Sequence, residues 1–219
     1  MNELIQTLAV YAIPLLFAIT LHEAAHAYAA KYFGDDTAFS RGRMSLNPAK
    51  HIDPVGTILI PVVLYLSTGG SMVFGYAKPV PIDFSRLRNP KRDMAWVALA
   101  GPAANFFMAL LWMLGAYFLA INQITEPFFQ RMTQAGIVSN LVMFALNLFP
   151  IPPLDGGRIL TSLLPMKQAL AFSKIEPYGF FIVLGLMFLK IFNYWLIPVM
   201  ILTETSLRLL LSPLQIFIS

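Results

Sequence analysis

The sequence predicts an all-α protein that passes through a lipid bilayer several times. Three observations lead there. Of 219 residues, 58% are hydrophobic and only 12% charged, where soluble domains carry nearer a quarter. Long apolar runs recur along the chain, and the Lys and Arg residues gather in the loops between them. A chain this apolar could hide its surface in water only by aggregating. The length suits one membrane-embedded domain over residues 1–219. With no cysteine, disulfides and thiolate metal sites are excluded. The net charge of +4 is spread over several loops, which fits membrane faces rather than nucleic acid.

The first apolar run covers residues 4–30. The chain start has an acid and no basic flank, so this run reads as a retained helix rather than a cleaved signal. Further spans are expected at 94–121 and 133–149. The last run, 178–211, is too long for one ordinary span of roughly 20 residues. Lys190, Asn193 and Pro198 lie near its middle, so two segments turning at 190–194 are expected.

The apolar stretch 55–66 is short for a crossing and predicts a re-entrant helix. Charge supports this. The loop before it holds Lys31, Arg41, Arg43 and Lys50, and the loop after it Lys78, Arg86, Arg88, Lys91 and Arg92. If 55–66 dips in and returns, both basic loops lie in the cytoplasm, as the positive-inside rule requires. Arg158, Lys167 and Lys174 join them, which places twelve of the fifteen cations inside and the N-terminus outside. Residues 74–82 contain Pro79 and Pro81, which forbid a helix and mark the edge of a small membrane-associated β segment. Such an edge can hold an unwound peptide by strand addition; a plain interfacial hairpin is the simpler reading.

His22-Glu23-Ala24-Ala25-His26 lies in the last third of the first run. Histidines four apart share one helix face, so both imidazoles can reach one Zn²⁺, and the adjacent Glu can act as base toward the metal's water. Ionisable residues inside a membrane are costly and usually functional. A hydrolytic zinc site takes three protein ligands and leaves a fourth position open. Asp155 is the candidate third ligand. Pro150, Pro152 and Pro153 stop the helix before it, and Gly156 and Gly157 let the backbone turn beside it. The expected topology brings the histidines and Asp155 to the same cytoplasmic side at similar depth. A helix cap is the plain alternative for Asp155. The third histidine, His51, sits in a polar loop and is assigned a surface or supporting role. Asn105 and Asn147 are amides at span depth, which either bond other helices or hold the substrate carbonyl.

The His22-Glu-Ala-Ala-His26 helix, the Gly101-Pro-Ala-Ala-Asn105 span and the Leu154-Asp155-Gly156 turn, in this order, resemble the site-2 protease family of intramembrane zinc metalloproteases. The resemblance covers nearly the whole chain. It implies a three-helix catalytic core joined by extra membrane helices. It implies one zinc per chain held by His22, His26 and Asp155, with Glu23 as base and Asn105 and Asn147 as substrate-binding asparagines. It also implies transmembrane protein substrates, regulated intramembrane proteolysis and a bacterial cell membrane. The loops are too short for an inserted PDZ domain and no CBS pair follows the last span, so the chain looks like a minimal member. A helix shields its own carbonyls, so substrates with helix-breaking residues near the cut are expected to be preferred. A metal transporter and a silent membrane-protein binder are the rivals. Few polar residues in the outer halves of the spans disfavour the first, and an intact Glu23 disfavours the second.

Overall fold

The computed structural model describes residues 2–67, 69 and 75–217. Among these the chain is all helical. The first run forms α1 (Asn2–Phe33) and the second α4 (Pro90–Ile121), each 32 residues long. By length and composition Val10–Phe33 and Pro90–Ile121 can cross a membrane. A short turn, α2 (Thr37–Ser40), follows α1. Pro54–Leu59 is π-helical and continues into α3 (Ile60–Ser67), with Asp53 accepting the Val55 and Gly56 amides at 3.0 and 2.7 Å. Fourteen residues of helix rise about 21 Å, short of the roughly 30 Å hydrocarbon core.

The helix that covers most of the expected span at 133–149 begins earlier. Helix α5 runs Pro127–Asn147, with Pro127 at its first position, where a missing N–H costs nothing. Its first turns carry Gln130, Arg131, Thr133 and Gln134, and it is not among the helices apolar enough to pass as a span. The chain then forms α6 (Asp155–Leu163), α7 (Met166–Ser173) and α8 (Glu176–Phe188). The α7–α8 pair is bent by 65° and makes a third apolar crossing only if counted as one. The last run does break: α8 ends at Phe188, Lys190 adopts φ +59°, and α9 (Asn193–Leu210) starts beyond it. A residue in the left-handed region just past a helix end is the usual way to stop one.

The small β segment expected at 74–82 is not found among the described residues. No strand occurs among the described residues, and the described part of 74–82, from Gly75 onward, is irregular chain; Phe74 lies outside the described residues. Pro79 and Pro81 remove the amides that a ladder would need.

Helix α4 is the centre of the molecule, packing on α1, α5 and α6. Small residues make the close contacts: Ala18, Ala24, Ala27 and Ala30 on α1 and Ala98 and Ala109 on α4 are buried. Gly136 of α5 lies so close under the Trp112 indole that a Cβ there would overlap the ring. A core of Ala109, Met113, Ile137, Leu141 and Leu207 joins α4, α5 and α9. Facing outward, Phe107, Leu111 and Phe118 are 61%, 62% and 61% exposed. That pattern fits a hydrocarbon surround and would be an aggregation site in water.

Candidate metal centre

The site is assembled on one stripe of α4. Val97, Gly101 and Asn105 are spaced one turn apart, so they share a face. On α1 the matching stripe is Ala18, His22 and His26. His26 Nδ1 donates to the Val97 carbonyl at 2.7 Å, and His22 Nδ1 donates to Asn105 Oδ1 at 2.6 Å. Asn105 Nδ2 donates in turn to the Ala18 carbonyl at 3.2 Å. Numbers rise along α1 as they fall along α4, so the two helices run antiparallel here. Gly101 sits between the two bonded pairs. A Cβ at this position would overlap His26 Nε2 and His22 Cε1, so the imidazoles occupy the space a side chain would take.

The orientation of Asn105 is set from a third helix. Its Nδ2 also donates to Asn140 Oδ1 at 3.0 Å, and Asn140 Nδ2 donates to the Gly136 carbonyl at 2.8 Å. The Asn105 Oδ1 is thereby turned toward His22. Both asparagines are fully buried. Asn105 thus meets an imidazole and two other helices. Asn147 is half-buried at the end of α5, and its amide donates to Met143 of its own helix at 3.0 Å.

Asp155 is the first residue of α6. The loop before it packs onto that first turn so tightly that Cβ atoms at Gly156 and Gly157 would overlap the Leu148 and Pro152 backbone. Asp155 Oδ2 stands 3.2 Å from both His22 Nε2 and His26 Nε2, which are 3.1 Å apart. All three residues are buried, and among the described residues Asp155 Oδ2 has no hydrogen-bond donor.

The donor set fits a cation. Each Nδ1 faces a carbonyl oxygen and must carry the ring's proton, so each Nε2 presents a lone pair. Three lone-pair atoms then point at one another in a buried space, an arrangement that needs positive charge to be stable. Tetrahedral zinc with bonds of about 2.0–2.1 Å sets neighbouring ligand atoms about 3.3 Å apart, close to the observed edges. His22, His26 and Asp155 are the group found with metal-holding geometry among the described residues.

Glu23 lies one residue from His22 and is half-buried. Its Oε2 accepts the Val80 amide at 2.8 Å. His51 is outside the cluster. It is buried rather than on the surface, with Nε2 bonded to the Ser45 carbonyl at 2.8 Å and its own carbonyl accepting the Lys78 amide at 2.9 Å.

Three features went unread in the sequence. Asn140 was visible as a buried-depth amide, which calls for a partner on another helix. Nothing in the residue names marks the Val97 carbonyl or the Val80 amide, since every residue offers a carbonyl and almost every one an amide.

Residues 119–190 match the profile of Peptidase family M50. The chain is 38% identical over 193 residues to YwhC of Bacillus subtilis, a protein named as a zinc metalloprotease, with 86% of this chain and 84% of that one covered. The chain belongs to peptidase family M50. Within the family it is also similar to Rip2 of Mycolicibacterium smegmatis, likewise named as a zinc metalloprotease, at 32% identity over 82% of this chain and 67% of that protein. No solved structure matches the chain. The profile match of this M50 chain includes Asp155 and the break before it.

Proposed function

We propose that this M50 protein is an intramembrane zinc metallopeptidase, one membrane-embedded domain over residues 1–219. It hydrolyses peptide bonds within or beside transmembrane segments of other membrane proteins. The observation that carries this is the buried triangle of His22 Nε2, His26 Nε2 and Asp155 Oδ2, edges 3.1–3.2 Å, with both Nδ1 atoms tied to carbonyls.

In this reading His22, His26 and Asp155 hold one zinc per chain. When bound, zinc polarises the scissile carbonyl and acidifies the attacking water. Asn105 and the Val97 carbonyl keep the two rings in the tautomer that offers Nε2. Glu23 takes the proton from the attacking water and returns it to the leaving amine. Asn147, half-buried just before the break that displays Asp155, is the asparagine we assign to substrate. The apolar helix Pro54–Ser67 enters the bilayer and returns. The N-terminus lies outside and the metal centre opens toward the cytoplasmic side, which supports cleavage near that face.

The test uses a reporter helix in bilayers, either intact or with Gly-Pro placed at its middle. The protein is expected to cut the broken helix several-fold faster than the intact one. A chelator should stop both reactions and added zinc should restore them. Zinc-loaded protein that cuts neither reporter would sink the reading.

Asn105 separates two roles. If it positions His22, Asn105→Ala is expected to weaken zinc affinity about 10–100-fold, as loss of a ligand's outer partner does elsewhere. Competition with a chromophoric chelator measures this. Unchanged affinity with a raised KM would instead return Asn105 to the substrate-contact role expected from the sequence.

A further inference from the structure

The hydrolytic reading leaves Pro79-Val80-Pro81 without a task, yet this tripeptide touches the proposed base. Between two prolines Val80 has the one backbone N–H of the three, and that N–H is aimed at Glu23 Oε2, 2.8 Å away. The Val80 side chain is buried against Ala27 and Ala38. Ala27 lies one turn beyond Glu23 on α1, so side chain and amide both engage the same face of that helix.

The flanking chain is fastened on both sides. The Tyr76 amide donates to the Gly56 carbonyl at 3.0 Å, and the Lys78 amide to the His51 carbonyl at 2.9 Å. Arg43 Nη2 donates to the Lys78 and Pro79 carbonyls at 2.9 and 3.3 Å. The Asp83 amide donates to Asp35 Oδ2 at 2.8 Å. The amide at position 80 therefore stands on a braced segment and not on a free loop.

We propose that the backbone amide of Val80 is the positioning group for Glu23, holding Oε2 so that Oε1 faces the attacking water. This rests on the reading of Glu23 as the base. A glutamate has three rotatable bonds, and a general base works only when held within hydrogen-bond reach of the proton it takes. A single fixed donor, with no neighbouring amide to compete, restricts the carboxylate without engaging its second oxygen. It also gives the Pro-Val-Pro spacing a physical reason: one donor is delivered and a continuous strand is prevented.

The test removes the Val80 N–H and leaves the side chain in place, at the cost of a weaker Pro79 carbonyl acceptor for Arg43. α-Hydroxyvaline introduced at position 80 replaces the amide by an ester and keeps the side chain, and Val80→Pro is the simpler companion. Both are expected to lower kcat about tenfold or more, with KM for the reporter helix and zinc per chain unchanged. Val80→Ile, which keeps the amide, should retain nearly wild-type kcat. The proposal falls if the ester protein keeps wild-type kcat, or if Val80→Ile loses as much as the ester. A zinc-loaded wild type that does not cut fails the peptidase reading, and this proposal with it. Loss in the ester protein beside an active wild type separates the two.

Discussion

Glu23→Gln is expected to keep zinc and lose cleavage. The residue supplies none of the three converging atoms, which come from His22, His26 and Asp155. Its recorded partner is the Val80 amide, to which a glutamine carbonyl oxygen can still serve as acceptor. The shape of the site should therefore survive while the ability to take a proton is lost. General-base catalysis contributes about 10²–10⁴-fold, so cleavage of the reporter helix should drop on the order of a thousandfold. Zinc per chain, measured on the same preparations, should stay near that of wild type. Cutting at an undiminished rate would remove Glu23 from its role. Loss of zinc together with activity would make it part of the metal site, contrary to the geometry.

Gly101→Ala should be as damaging, by a different route. The added methyl would overlap His26 Nε2 and His22 Cε1. Neither ring can step aside cheaply, because each is tied through Nδ1 to α4 itself, at Val97 and Asn105. The clash can be relieved only by breaking those bonds or moving α1 from α4, and either one spreads the ligand triangle. Zinc affinity is expected to fall more than hundredfold, beyond the 10–100-fold typical of losing one outer partner. Gly115 provides the control on the same helix, since a Cβ there meets only Thr133 Cγ2 at 3.6 Å, ordinary contact. Gly115→Ala should hold zinc and cut normally. If Gly101→Ala binds zinc as tightly as Gly115→Ala, the packing account of the site is wrong.

Some of this was legible in the residues and some was not. The His22–His26 pair can be read because a helix repeats every 3.6 residues, so a spacing of four guarantees a shared face wherever the helix lies. Asp155 can be read because prolines before it and glycines after it must interrupt a helix. The break in the last run, observed at Leu189–Phe192, has the same origin in local chemistry. The start of α5 was misplaced because hydropathy sees Gln130 and Arg131 as loop, whereas Pro127 opens a helix that carries them. The β segment was read from Pro79 and Pro81, which mark extended chain, and extended chain and paired strand look alike until the partner is known.

By itself the sequence determined the candidate metal-ligating residues, their shared helix face, the display of Asp155 at a helix break and the apolar character that suits lipid. Each depends on neighbours a few positions apart. The tertiary structure alone decided what holds those residues in place: Asn105 meeting His22 from 83 positions away, the Val97 carbonyl meeting His26 from 71, and the Val80 amide meeting Glu23 from 57. These are contacts between helices and loops brought together by packing around small residues. Two of the three groups are backbone atoms, which carry no side-chain identity for a sequence pattern to record.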